Sequence, residues 1–278
     1  MLIGHHISKK ELLKCIKNNE TRYSAYQFFA SSPKTWANAT DNPVVISKWH
    51  QTNNTYLVIH GKYLYNFCRK SEEQITTLTK ELIYAAHIAD DVNVIIHQGK
   101  NLKELDMTRE EALLVFCDNI KSVLHKTHEL SNKIILENSA HQGTEIGHSL
   151  EELAKIFNII DSSRIGICID LCHIFVAGEL DMRDGRAVKL FFKKFDELIG
   201  LKHLLVIHYN DSRAKFDSHN DCHGDIGDGY IGKTELGGCT QGFATVIKIA
   251  KKHGIPMILE TPECSSSFKQ QIDFIRRL

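Results

Sequence analysis

The chain lacks an excess of either charge, since 34 Lys and Arg balance 34 Asp and Glu. That excludes a global basic field of the kind that draws polyphosphate non-specifically, so any binding of nucleic acid has to find its positive charge locally. The chain also lacks a CxxC pair. Its eight cysteines, scattered over 278 residues, read as reduced thiols and not as a disulfide framework. No apolar run approaches the roughly 20 residues that span a bilayer, and the start, Met1-Leu2-Ile3-Gly4-His5-His6, has no basic region ahead of an apolar one. A soluble, unprocessed protein is expected, neither secreted nor bound to a membrane. Pro-rich and Ser-rich linkers, internal repeats and low-complexity segments are missing too, so a single domain over residues 1–278 is expected. A hydrophobic content of 42% is enough to fill one barrel-sized core. What the chain has in unusual number is histidine, with sixteen.

Six short apolar runs read as buried parallel strands: Leu57–Ile59, Val94–Ile96, Ile134–Leu136, Ile167–Ile169, Leu204–Ile207 and Met257–Leu259. Two weaker candidates, Leu2–Ile7 and Ser24–Phe29, bring the count to the eight of a barrel. Between the runs lie four pairs with the spacing of an N-terminal capping box: Ser8 with Glu11, Ser71 with Gln74, Thr108 with Glu111 and Ser149 with Glu152. Apolar residues then recur at helical spacing, as in Ile75, Leu78, Leu82 and Ala85, or Leu113, Phe116, Ile120 and Val123. Strand and helix alternate to the end, which predicts an α/β fold, a single (β/α)8 TIM barrel whose active site lies at the C-terminal face of the strands.

Each of the six runs is followed at once by a residue able to bind a metal: His60, His97, Glu137, Asp170, His208 and Glu260. His, Asp and Glu make up about 18% of the chain, so six in succession by chance has odds on the order of 10⁻⁵. A discount of roughly a hundredfold, for strand ends chosen by eye where polar residues are common anyway, still leaves chance behind. His173, Asp221 and His223 are further candidates. Imidazole and carboxylate without thiolate are what catalytic zinc sites use, and nine ligands suit a cluster of two or three ions.

At these residues the chain resembles the endonuclease IV family, the zinc-dependent apurinic/apyrimidinic endonucleases of family 2. The segments His60-Gly61-Lys62-Tyr63-Leu64-Tyr65-Asn66, Gly166 to His173, and His208-Tyr209-Asn210-Asp211-Ser212-Arg213 through Asp221-Cys222-His223 are similar to that family's three signatures. Ile96-His97-Gln98-Gly99, Leu136-Glu137-Asn138 and Leu259-Glu260-Thr261 fit as well. The resemblance runs from Ile3 to about Pro262 and implies three Zn²⁺ per chain. His60 and His97 would hold the first ion and Asp170, His208 and Glu260 the second, with Glu137 bridging them. His173, Asp221 and His223 would hold the third.

The implied activity is hydrolysis of the phosphodiester 5′ to an abasic site in duplex DNA, with Glu137 and Glu260 at the reacting centre. A monomer working in a cytoplasmic or nucleus-like, DNA-containing compartment is the matching expectation. Three dications against four carboxylates would supply the local positive charge that the composition lacks. Loops on the same face carry Lys34, Lys62, Arg69, Lys70, Arg213, Lys215 and Lys233, placed to meet phosphates, and the aromatics Trp36 and Tyr63, placed to enter the duplex at the lesion. Asn138 and Asn210 either orient the ligands or serve a turn. His6 matches a family histidine and reads either as a residue beside the metals or as a satisfied core residue, not as a ligand.

Three positions depart from the family: Leu171 for Thr, Arg213 for Lys, and Cys222 for a basic residue. Cys222 removes a charge and offers a thiol next to the third ion. Two other readings compete. A sugar isomerase or epimerase on the same barrel would use one or two metals and leave His173, Asp221 and His223 without a task. A non-catalytic binder of damaged DNA would have lost ligands, and all nine are present.

Overall fold

All eight expected strands are present in the computed structural model, which describes residues 1–232 and 239–278. They are β1 (Ile3–His6), β2 (Ala25–Phe28), β3 (Tyr56–His60), β4 (Asn93–Ile96), β5 (Ile134–Glu137), β6 (Ile165–Asp170), β7 (Leu204–His208) and, after a two-residue hairpin of β8 (Asp211–Ser212) and β9 (His223–Gly224), β10 (Met257–Leu259). The eight close into a parallel barrel in the order β1-β10-β7-β6-β5-β4-β3-β2. The hairpin pairs antiparallel outside the barrel and was not legible as strand.

Between the strands run α1 (Lys9–Lys17), α2 (Val44–Asn53), α3 (Glu72–Ile88), α4 (Arg109–Lys126), α5 (Leu150–Ile160), the short α6 (Leu171–Val176), α7 (Gly185–Leu198), α8 (Gln241–His253) and α9 (Phe268–Arg277). The fold is therefore the expected (β/α)8 barrel. Strands covered by helices outside and by one another inside are buried on both faces, which is why they read as continuous apolar runs. Ala25, Val58, Ile95, Ile135, Cys168, Val206 and Ile258 fill the inside of the barrel. A second, larger cluster joins the outer faces of the strands to the helices through residues such as Leu78, Leu82, Phe116, Ile120, Phe195 and Phe243. Gly4 is demanded by closure of the barrel, because a Cβ there would lie 1.5 Å from the carbonyl oxygen of Ala25 on β2.

The caps depart from expectation in an informative way. Ser8 with Glu11 and Thr108 with Glu111 form complete boxes. Ser71 and Ser149 cap their helices too, but their partners are used elsewhere. The Gln74 carbonyl accepts from the Asn66 amide at 2.6 Å, and Glu152 binds Arg109 at 2.7 Å and the Gly147 amide. In both cases a loop on the active face takes the side chain that would otherwise complete the cap.

Candidate metal centre

Strand ends place the inner ligands. His60, Glu137, Asp170 and His208 are the last residues of β3, β5, β6 and β7, and His97 and Glu260 directly follow β4 and β10. Parallel register sets Asp170 beside His208. Asp170 is also the N-cap of α6, its Oδ1 accepting from the His173 amide at 2.9 Å, which fixes His173 one turn on. The β8–β9 pairing, with Ser212 opposite His223, carries His223 and Asp221 in from the side. All nine candidate ligands thus meet over the mouth of the barrel, and they fall into three groups whose donor atoms lie within 4.8 Å of one another: His60, His97 and Glu137; Glu137, Asp170, His208 and Glu260; His173, Asp221 and His223. Glu137 belongs to the first two. An open cleft of about 560 Å³ above them is lined by His60, Tyr63, His97, Asp221, His223 and Glu260, among others.

The chemistry of this donor set fits dications. Nδ1 of His60 points at the Gly61 carbonyl (2.8 Å), that of His173 at the Asn138 carbonyl (2.9 Å) and that of His223 at the Glu260 carbonyl (3.2 Å). Each of these Nδ1 atoms donates its proton outward, so Nε2 is the atom that each ring turns to the cluster, with a lone pair for a metal wherever the ring is neutral. His208 is set the other way round by Gln27. The Gln27 amide nitrogen donates to Glu260 Oε1 at 2.6 Å, so its oxygen accepts from His208 Nε2 at 2.8 Å and Nδ1 is left for the carboxylates. The Nε2 atoms of His173 and His223 lie 3.4 Å apart, a spacing that two neutral rings tolerate only with a proton or a metal cation between them. Glu137 Oε2 is buried with no hydrogen-bond donor, and the Nε2 atoms of His60 and His97 each stand 3.5 Å from it. Cations between these atoms remove both conflicts.

Electrostatics point the same way. Burial pushes the Glu137 carboxyl up, but His208 and His97 outweigh it and hold the group well below the ordinary carboxylate range. Burial likewise opposes charge on His173, and the carboxylates of Asp170 and Asp221 outweigh it, so this imidazole sits well above the usual histidine value. The cluster is built to attract positive charge, and a dication meets several of its members at once.

The surroundings support that arrangement. Asn210 donates to Asp170 Oδ2 at 2.6 Å and accepts from the Glu260 amide at 2.8 Å. Asn138 accepts from the Asp170 amide at 2.7 Å. Both asparagines therefore orient candidate ligands. His6 stands beside the cluster, with Nδ1 3.0 Å from the Gln27 amide. Gln27 is the member that the sequence reading missed; its one signal is a glutamine inside the apolar strand Ala25-Tyr26-Gln27-Phe28.

The family described as xylose isomerase-like TIM barrel matches residues 20–278. The chain is 34% identical over 251 residues to a putative endonuclease 4 of Acanthamoeba polyphaga mimivirus, covering 86% of this chain and 78% of that one. The chain belongs to the endonuclease IV family. Another member, an apurinic-apyrimidinic endonuclease of Caenorhabditis elegans, is 31% identical over 274 residues, which cover 94% of this chain and 66% of that one. The fold is that of endonuclease IV from Thermus thermophilus, with a TM-score of 0.80 at 23% identity over 100% of this chain and 98% of that one.

The residues expected to touch DNA are spread unevenly. Tyr63 is 57% exposed, stands edge-on to Phe29 and His60, and lines the cleft. Lys34, Arg69, Lys70, Arg213 and Lys215 are exposed. Trp36 is half-buried and leans on Tyr65 with ring centroids 6.1 Å apart. Lys62 needs correction: it is buried, and its Nζ donates to Ser31 Oγ, the Ser32 carbonyl and the Ala37 carbonyl at 2.7, 3.0 and 2.7 Å. All three of its protons are thereby used, so Lys62 ties the β2–α2 loop to the β3–α3 loop and has none left for a phosphate. Lys233 lies outside the described residues. Among the described residues Cys222 joins no ligand group; the thiol that does approach the third group is that of Cys172, with Asp170 and His223.

Proposed function

We propose that this chain is a zinc-dependent apurinic/apyrimidinic endonuclease that hydrolyses the phosphodiester bond 5′ to an abasic site in duplex DNA. The products are a 3′-hydroxyl and a 5′-deoxyribose phosphate. The observation that carries this reading is the separate grouping of His173, Asp221 and His223 beside two groups that share Glu137. A sugar isomerase on this barrel has no use for it, whereas a phosphodiester has an attacked phosphorus and a leaving oxygen to be served at different points. Membership of the endonuclease IV family supports the same substrate.

Zinc, when bound, supplies positive charge to the phosphate and makes water a nucleophile near neutral pH. The remaining work falls to the chain. His60 and His97 would hold the first ion, Asp170, His208 and Glu260 the second, Glu137 both, and His173, Asp221 and His223 the third. Gln27, Asn138 and Asn210 keep the donor atoms aimed. Glu137, shared by the first two groups, and Glu260, in the second, would stand at the reacting centre. Tyr63, over the cleft, and Trp36 would enter the gap in the base stack, and Lys34 and Arg213 would contact the backbone phosphates. The protein acts as a monomer in a DNA-containing compartment; among the described residues no helix is long and apolar enough to cross a membrane.

The test is to incubate the purified protein with a duplex carrying one abasic analogue and to count zinc per chain. One nick with a 3′-hydroxyl and three zinc ions are expected. An uncut duplex, or one or two ions with turnover of a sugar, would sink the proposal.

A further inference from the structure

The third ligand group has a weakness that the other two do not share. Asp221 and His223 sit on a hairpin of two residues per strand, and such a ribbon is not stable on its own. Something else has to hold it, and the side chain of Asp211 does so. Asp211 is fully buried, pairs through its backbone with Gly224, and accepts five backbone N–H bonds. Oδ1 takes those of Ser212 (2.8 Å) and Ile231 (2.9 Å). Oδ2 takes those of Gly227 (3.0 Å), Gly229 (3.2 Å) and Gly232 (3.0 Å).

The loop after the hairpin is thus folded around one carboxylate, the reverse of the common arrangement in which amides gather on a bound anion. The approach is so close that a Cβ on Gly229 would lie 2.4 Å from Asp211 Oδ1, and one on Gly232 2.6 Å from Oδ2. On the far side, Asp225 accepts from the amides of Ser265 and Ser266 and pins the same loop to the segment after Glu260.

We infer that Asp211 is a positioning residue for the third metal: its carboxylate, by gathering the 227–232 amides, sets the hairpin that presents Asp221 and His223. Among the described residues no hydrogen bond joins its side chain to a candidate ligand, and the inner six stand at or directly after the ends of barrel strands. This inference rests on the three-ion reading above. Asn is a near-isosteric replacement, but its NH₂ end must face at least two N–H donors whichever way the amide turns, so the gathering fails while the volume is kept.

The experiment counts zinc in Asp211→Asn, Gly229→Ala and the wild-type chain after gel filtration, over a series of free-zinc concentrations, with circular dichroism to establish that each is folded. Gly229→Ala keeps the carboxylate and crowds the nest, so it serves where Asp211→Asn does not fold. Both variants should retain two tightly bound ions and take up the third only at free zinc about 10- to 100-fold higher, the range that outer-shell partners of a metal control. Cleavage should return as the third ion does, a recovery that a merely destabilised fold would not show. Folded variants that hold three ions at wild-type affinity, or lose all three together, would overturn the inference. A wild-type chain that never holds three would overturn the three-ion reading instead.

Discussion

The inner and outer halves of the candidate metal centre are built by different means. His60, His97, Glu137, Asp170, His208 and Glu260 stand at the ends of six barrel strands, where closure of the sheet dictates both height and direction. His173, Asp221 and His223 stand on the first turn of α6 and on a hairpin outside the barrel, held by single side chains that cap or gather backbone amides. The side chain of Glu137 is 1% exposed, whereas that of Asp221 is 37% exposed. A closed parallel sheet opens only with global unfolding, while a loop held by the carboxylates of Asp211 and Asp225 opens locally. The same candidate chemistry therefore rests on two levels of stability, and on the proposed three-ion reading the outer group is the one that conditions or mutation should modulate.

The largest effect should come from breaking the inner half at its shared member. Glu137→Gln removes the charge common to two groups, and its loss of cleavage should exceed the roughly 10- to 100-fold that outer-shell partners cost. Zinc should fall by at least one ion per chain. Near-normal cleavage in a variant holding three ions would take Glu137 out of the centre.

A smaller effect on the same half tests how far its rigidity depends on side chains. Gln27→Leu frees His208 to turn or change tautomer and removes a donor from Glu260, so zinc affinity of the second group should drop about 10- to 100-fold. The outer group, which Gln27 does not touch, should bind as before. Competition with a chelator of known affinity separates the two.

The supports of the loops are open to a pH test away from the ligands. Glu81 on α3 is buried and accepts from Tyr65 Oη at 2.7 Å, and burial pushes its carboxyl up to about 7. A carboxyl raised in the folded state contributes its full stability below the unfolded value near 4.5 and loses it as pH rises through about 7. Glu81→Gln keeps an acceptor for Tyr65 without a charge. Relative to wild type it should gain up to about 3 kcal/mol between pH 4.5 and pH 8, read by urea unfolding at several pH values. A difference that does not vary with pH would show that Glu81 titrates normally.

The smallest expected change concerns recognition alone. Tyr63→Ala should leave three zinc ions and the fold in place, yet reduce selectivity for an abasic over an intact duplex by roughly 1 to 3 kcal/mol. Both affinities must be measured at one salt concentration. An unchanged ratio would make Tyr63 a packing residue on Phe29 and move the lesion reader to Trp36.

What could be read without the structure was whatever follows from periodicity. Alternating strand and helix patterns imply a parallel barrel, a parallel barrel sends its strand ends to one face, and six consecutive strand ends carrying His, Asp or Glu imply a metal centre there. His173 and the pair Asp221 and His223 stood out by residue type alone, and their grouping around a third ion came only from the family's motifs, since no periodicity leads to α6 or to the hairpin.

Tertiary structure decided the rest, because it depends on which partner claims a polar group first. Lys62 has the composition of a phosphate contact and is spent on three oxygens of a neighbouring loop. Gln74 and Glu152 have the spacing of capping residues and bind loops instead. Gln27 sits in an apolar strand and sets the tautomer of a candidate ligand 181 positions away. Asp211 and Asp221 are both aspartates of one signature region, and only the fold makes one a hub for five amides and the other a candidate metal ligand. Hydrophobic burial is roughly additive along a chain and so can be read from its pattern; a hydrogen bond between distant residues is a choice among competing partners, and nothing short of the packed molecule makes it.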